Sequence, residues 1–183
     1  HEISVKTADL LRLRVYEKEL VHLACEYGEL SEPVMSDSDE KATNPYLFRT
    51  VHEGNYHVVR GKPTSEVLFA LQSHEIRRIA RREECVFVGR CADYILKDRP
   101  DCLHIFIHAD MEHRAARVRE RYGETKQPME KRLQEKDSKR KVYYKHYTNR
   151  NWGEAENYDV CLDSGTLGVD KCVEIVCDIA QMK

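Results

Sequence analysis

Cys85-Val86-Phe87-Val88 is a continuous apolar run that Gly89 closes. Such a run is typical of a parallel strand that is buried on both faces. The run Leu103–Ala109, ended by Asp110, predicts a second strand, and residues 158–163 predict a third. Helical patterns separate these runs along the chain. The alternation of strands with helices predicts an α/β domain with a parallel sheet.

Apolar residues at helical spacing predict the helices around these strands. They are expected over residues 3–13, 16–27, 64–82, 111–122, 129–147 and 169–181. Asp110 is the expected N-cap of the helix that starts at residue 111. Between Leu30 and Lys62 the pattern is broken by acids, prolines and glycines, so loops and short helical turns are expected there.

The composition excludes several classes of protein. The 183 residues suit one domain, and 41% hydrophobic residues is too apolar for a disordered chain. No apolar run is long enough to cross a membrane, and no signal-peptide pattern is present. The seven cysteines contain no Cys-x-x-Cys pair, which excludes a disulfide scaffold and a zinc ribbon. We expect reduced, buried thiols in a cytoplasmic protein.

The charge is unevenly distributed along the chain. The segment 111–150 contains thirteen Lys or Arg and six Asp or Glu residues, which gives it a charge of +7. Because the whole chain carries −2, the remainder carries −9. A basic segment within an acidic protein is either a surface that binds anions or a solvated charged face.

Arg90 and Asp93 follow the first predicted strand, in Gly89-Arg90-Cys91-Ala92-Asp93. Ligands of open α/β sheets bind at the carboxyl ends of strands, where a guanidinium can hold phosphate and a carboxylate can accept from a sugar hydroxyl. The alternative is a salt bridge at the end of the strand.

Two predicted helices each carry a basic face. Arg114, Arg117 and Arg121 share one face of the first helix. Arg132, Lys136 and Arg140 share a face of the second, where Asp137 lies three residues before Arg140. Two such helices joined by a short break could close over phosphates. Cys102, His104 and His108 lie at strand spacing, but no partner ligands with zinc-like spacing accompany them, and we predict no protein-bound metal.

Three segments resemble a known family. They are GRCADYIL at 89–96, HIFIHADMEHRAARVRERYG at 104–123 and KDSKRKVYYKHYTNRNWGEAENYDVCLDSGTLGVDKCVEI at 136–175. The chain resembles the cytidylate kinase-like family, which belongs to the nucleoside monophosphate kinases of the P-loop NTPase class. The resemblance implies a three-layer parallel sheet flanked by helices in one domain over 1–183. Within it, 30–82 would bind the acceptor and 111–150 would form a basic helical lid.

The resemblance also implies the chemistry and the site. The expected reaction moves the γ-phosphate of ATP, with Mg²⁺, to a nucleoside monophosphate or similar phosphorylated acceptor. The Gly-rich loop that cradles the donor phosphates would directly precede the helix that begins near His1. The implied acceptor-binding residues are Arg90, Asp93, Asp137 and Arg140. Those implied at the transferring group are Arg114, Arg117, Arg132 and Arg140, and those beside the donor adenine are Ser164, Gly165 and Thr166.

Three positions depart from the family pattern. Cys91 stands where the Gly-Arg-Asp motif has aspartate, and Ser65 and Ser73 lie near positions where cytidylate kinases have arginines. Two other hypotheses therefore stay open beside the kinase. One is a nucleotide-binding or regulatory protein that has lost catalysis, and the other is a nucleic-acid-binding protein that uses the +7 segment. For the kinase we expect small-molecule partners and neither a membrane nor a nucleic acid.

Overall fold

The fold comes from a computed structural model, which describes residues 1–28, 58–59, 62–123 and 127–182. Its helices are α1 (Glu2–Leu11), α2 (Glu19–Gly28), α3 (Thr64–Ala80), α4 (Ala92–Ile95), α5 (Met111–Tyr122), α6 (Met129–Thr148), α7 (Ser164–Leu167) and α8 (Val169–Gln181). Its strands are β1 (Arg14–Tyr16), β2 (Val58–Val59), β3 (Lys62–Pro63), β4 (Cys85–Phe87), β5 (Ile105–His108) and β6 (Val160–Asp163). The expected loops between Leu30 and Lys62 lie almost entirely outside the described residues.

The strands are arranged in pairs. β1 pairs with β4 and β5 pairs with β6, both in parallel, whereas β2 and β3 form a short antiparallel pair. The predicted α/β class is confirmed. Within the described ranges no hydrogen bonds join the two parallel pairs, so the single three-layer sheet stays a prediction.

Two details of the strands differ from the sequence predictions. Tyr16 ends strand β1 and does not begin a helix; α2 starts three residues later. The side chains of Cys85, Val86 and Phe87 are half-buried and not fully buried. The physical reason is that β4 has a hydrogen-bonded neighbour on one edge, β1, within the described part of the chain.

Helix α1 joins the two parallel pairs. It contacts β1 and β4 and packs along α8. Near its start, Ile3 packs with Leu162 and Val173 in the apolar cluster between β5, β6 and α8. A separate apolar cluster, built around Leu20 and Ile76, covers β1 and β4. The two halves of the molecule are therefore connected through the apolar face of one helix.

All seven cysteines are free thiols, as the sequence predicts, although not all are buried. Cys25, Cys91 and Cys172 are buried, whereas Cys161 is exposed because it faces solvent from β6. No helix in the described ranges is long and apolar enough to cross a membrane.

Candidate anion-binding site

Asp110 caps α5, the first of the two helices that carry the basic faces. Its carboxylate accepts from the backbone N–H of His113 at 2.8 Å, which is the N-cap that the sequence predicts. One turn further on, Arg114 reaches across to α6. Its two terminal nitrogens donate to the two oxygens of Asp137 at 2.7 and 2.8 Å. This bidentate pair fastens α5 to α6.

The Asp137 carboxylate is shared between two arginines. Arg140 Nη1 lies 3.8 Å from Asp137 Oδ1, one turn along the same helix. The Asp137 side chain is 16% exposed, whereas that of Arg140 is 47% exposed. Arg140 therefore presents an accessible guanidinium beside a carboxylate whose two oxygens are already paired with Arg114.

A second carboxylate gathers the arginines of α5 over the start of α1. Glu2 accepts a hydrogen bond from Arg117 and lies 3.6 Å from Arg121. The hydrogen bond from Arg117 lowers the pKa of Glu2. Because Glu2 is in the first turn of α1, these two guanidinium groups lie where the unpaired N–H groups of that helix also favour anions.

The two groups of arginines share α5. Arg114 pairs with Asp137 beside Arg140, whereas Arg117 and Arg121 lie beside Glu2 in the first turn of α1. Because Arg114, Arg117 and Arg121 follow one another at spacings of three and four residues, they share one face of α5. The structure thus brings these three arginines and Arg140 into one cluster along α5, paired with Glu2 and Asp137.

Arg90 lies in a strained turn at the carboxyl end of β4. Gly89, Arg90 and Cys91 have φ angles of 75°, 53° and 56°, three successive left-handed residues. Such conformations cost non-glycine residues about 1–3 kcal/mol each and cluster at functional sites. The Arg90 side chain is buried. The pKa of the Glu19 carboxyl is lowered chiefly by backbone hydrogen bonds, and the charges of Arg14 and Arg90 lower it further.

The residues that follow Arg90 pack beneath the second half of α6. Cys91 is buried against Tyr143 and Tyr144. Asp93 accepts a hydrogen bond of 2.6 Å from the Tyr144 hydroxyl. Asp93 is thus tied to α6, two residues beyond Cys91.

The segment Ser164–Thr166 follows β6 as helix α7. Asp163 caps it by accepting from the Gly165 N–H and the Thr166 hydroxyl, each at 2.9 Å. A Cβ on Gly165 would lie 3.2 Å from His113 Cγ, so glycine permits the close approach of α5. The His113 imidazole and this segment therefore form one surface at the carboxyl ends of β5 and β6.

A family model for the cytidylate kinase-like family matches residues 1–166. The chain belongs to the cytidylate kinase-like family. Its general class is that of the P-loop NTPases. Among solved structures, an uncharacterized protein from Eubacterium ventriosum is similar, with a TM-score of 0.71 and 25% sequence identity. The match covers 99% of this chain and 90% of that protein. None of the curated proteins matches the chain.

The positions that depart from the cytidylate kinase pattern have structural roles in this family member. Cys91 fills an aromatic cluster where a carboxylate would be buried without water. The Ser73 hydroxyl donates to the Phe69 carbonyl oxygen within α3 at 2.7 Å. Ser65 is half-buried in the first turn of α3. Of the acceptor region predicted at 30–82, residues 30–57 and 60–61 lie outside the described residues.

Other predicted site residues are placed apart from the arginine cluster. Arg132 is half-buried on α6, about two turns before Arg140, and makes no ion pair within the described ranges. The described ranges also contain no group of three or more His, Cys, Asp or Glu side chains suited to a metal ion. Glu2 was not predicted as a partner of the arginines, because its contact with Arg117 joins residues 115 positions apart.

Proposed function

We propose that this protein is an ATP-dependent phosphotransferase that moves the γ-phosphate of Mg-ATP to a nucleoside monophosphate or a similar phosphorylated acceptor. Membership of the cytidylate kinase-like family supports a nucleotide kinase-like role. The observation that carries the proposal is the arginine cluster along α5, in which Arg114 and Arg140 lie beside Asp137 and Arg117 and Arg121 lie beside Glu2 at the start of α1.

Phosphoryl transfer requires positioning and charge neutralisation rather than covalent chemistry from the protein. In the proposed reaction, an acceptor phosphate oxygen bonds to the γ-phosphorus as the bond to the β-phosphate oxygen breaks. Arg114 and Arg117, joined by Arg132 when α5 and α6 close, neutralise the transferring group. Arg90 and Arg140 hold the acceptor phosphate.

Asp137 acts in this scheme on both the sugar and the arginines. The family resemblance assigns its carboxylate to the acceptor sugar, and the structure pairs it with Arg114. Ser164, Gly165 and Thr166 border the donor adenine in the proposed complex. Mg²⁺ enters on the phosphates of ATP, a usual arrangement for an ion that keeps several water ligands.

The proposal is tested by incubating the full-length protein with Mg-ATP and each common nucleoside monophosphate in turn, and separating the nucleotides by chromatography. We expect a nucleoside diphosphate from at least one acceptor. Arg90→Ala should lower kcat/KM at least a hundredfold, about 3 kcal/mol of transition-state stabilisation. Arg99→Ala, which removes a half-buried arginine paired with Asp101, should leave kcat/KM unchanged. A near-normal rate in Arg90→Ala would remove Arg90 from the site.

A second candidate is a nucleotide-binding protein of the same fold without catalysis. The observation that favours it is the position of Cys91, a buried thiol in place of the family's aspartate. This candidate predicts that the full-length protein binds ATP in calorimetry and yields no nucleoside diphosphate with any acceptor. Turnover with one acceptor excludes it.

A further inference from the structure

The turn that carries Arg90 depends on its surroundings to keep its shape. Arg90 and Cys91 both have left-handed backbone conformations, directly after the left-handed Gly89. Helix α4 follows at once, with the Ala92 N–H donating to the Gly89 carbonyl oxygen at 3.0 Å. Because α4 has four residues, it is too short to impose this conformation by itself.

Helix α6 supplies the contact that α4 lacks. The Tyr144 hydroxyl donates to Asp93 Oδ2 at 2.6 Å, two residues beyond Cys91. Tyr144 is 4% exposed, so water is largely excluded from this bond. Hydrogen bonds to a carboxylate are among the stronger ones, and burial strengthens them. Burial and the hydrogen bond to Asp93 both raise the pKa of Tyr144, so the hydroxyl keeps its proton.

The same face of α6 carries the other residues of the proposed acceptor site. Arg140 lies four residues before Tyr144, and Asp137 lies seven before it, spacings that align side chains on one face. Aromatic packing fixes this part of the helix, because the ring of Tyr147 stacks on that of Phe69 with centroids 3.9 Å apart. One rigid helix therefore touches the Arg90 turn and carries Arg140.

We propose that the hydrogen bond from Tyr144 to Asp93 holds the Arg90 turn in its left-handed conformation, which makes Tyr144 a positioning residue for the acceptor phosphate. The role of Arg90 toward an acceptor rests on the proposed function. The hydrogen bond between Tyr144 and Asp93, and its effect on the Arg90 turn, are independent of that function. Tyr144 then sets the position of Arg90 relative to Arg140 without touching the acceptor.

Tyr144→Phe removes the hydroxyl and keeps the ring, and Tyr16→Phe is a matched control. Tyr16 is also 4% exposed, and its hydroxyl donates to Glu83 at the same distance of 2.6 Å. Both variants lose one hydrogen bond from a buried tyrosine to a carboxylate, so the control shows the effect of losing such a bond elsewhere in the fold. The Tyr16 hydroxyl contacts Glu83, which precedes β4, whereas the Tyr144 hydroxyl contacts Asp93, which follows the Arg90 turn.

The first readout is the alkylation rate of Cys91 by N-ethylmaleimide, measured by peptide mass spectrometry on the full-length protein. We expect Tyr144→Phe to speed it about five- to tenfold, the size of effect that one lost hydrogen bond produces. Tyr16→Phe should leave the rate unchanged. Equal rates in the two variants, or a wild-type rate in Tyr144→Phe, would overturn the proposal whether or not the protein is active.

The second readout separates positioning from a structural role. Tyr144→Phe should raise KM for the nucleoside monophosphate about tenfold, with KM for ATP and kcat within twofold of wild type. An unchanged acceptor KM with fast Cys91 alkylation would overturn the positioning role. A wild-type protein that transfers no phosphate to any acceptor, while Tyr144→Phe still speeds alkylation, would refute the proposed function and leave the contact supported.

Substitution of Asp93 gives an independent route to the same contact. Asp93→Ala should reproduce the fast alkylation of Cys91, and adding Tyr144→Phe to it should have no further effect, because the two changes remove one interaction. Asp93→Asn keeps an acceptor oxygen and should restore most of the protection. Additive effects of Asp93→Ala and Tyr144→Phe would show that the two side chains act separately, against the proposal.

Discussion

At the scale of single residues, Asp110 joins a structural role to an electrostatic one. It caps α5, and both its carboxylate oxygens lie 2.9 Å from His113 Nδ1. The hydrogen bond to Asp110 raises the pKa of His113 above 6.5. The pair therefore stabilises the fold fully below pH 6.5 while Asp110 stays ionised, and this contribution is lost as the pH rises through the raised pKa of His113.

NMR titration of the His113 ring protons checks this sign. The pKa should lie above 6.5 in the wild type and fall toward 6.5 in Asp110→Asn, which still caps the helix but carries no charge. Glu112→Gln is the control, because Glu112 raises the His113 pKa less than Asp110 does. An identical titration in Asp110→Asn and the wild type would contradict the assignment of Asp110 as the cause.

The separation of two residues along the chain decides whether their contact could be predicted from the sequence. The Asp110 cap joins residues three apart, so the local sequence contains all the information. The contact between Tyr144 and Asp93 joins residues 51 apart. No spacing rule connects such a pair, because the folding of α6 onto α4 brings them together. Arg114 and Asp137 could be proposed from family motifs, but their mutual pairing could not.

At the scale of elements, the bidentate pair of Arg114 and Asp137 should hold α5 against α6. A double-mutant cycle with Arg114→Ala and Asp137→Ala, measured by urea unfolding, should give a coupling energy of about 1–2 kcal/mol. The control cycle uses Arg117 and Glu120, whose side chains are 47% and 71% exposed. Their coupling should be about 0.3–0.5 kcal/mol. Equal couplings in the two cycles would show that the α5–α6 contact is held by apolar packing alone.

Long elements were easier to predict than short ones, for a physical reason. Helix α8 spans Val169–Gln181, as its apolar periodicity predicts, because thirteen residues repeat the pattern over several turns. Strand β1 has three residues and contains no repeat at all. It is a strand because it pairs with β4, a contact about 70 residues away along the chain. The predicted start of α2 at Tyr16 was wrong for this reason, whereas the helix itself is present at Glu19–Gly28.

At the scale of the whole molecule, α1 should make the two halves unfold together. Ile3→Ala removes a side chain that is 8% exposed and packs against Leu162 and Val173, so it should lower the free energy of unfolding by about 2–5 kcal/mol. Leu10→Ala is the control on the same helix, because Leu10 is 68% exposed and its loss should cost about 0.5 kcal/mol or less.

Trp152, the single tryptophan, contacts Phe106 on β5 and reports on that half of the molecule. In Ile3→Ala its fluorescence and the far-ultraviolet circular dichroism should shift to the same lower denaturant midpoint. A fluorescence midpoint that falls while the circular dichroism midpoint stays in place would mean that the half around β5 and β6 unfolds by itself.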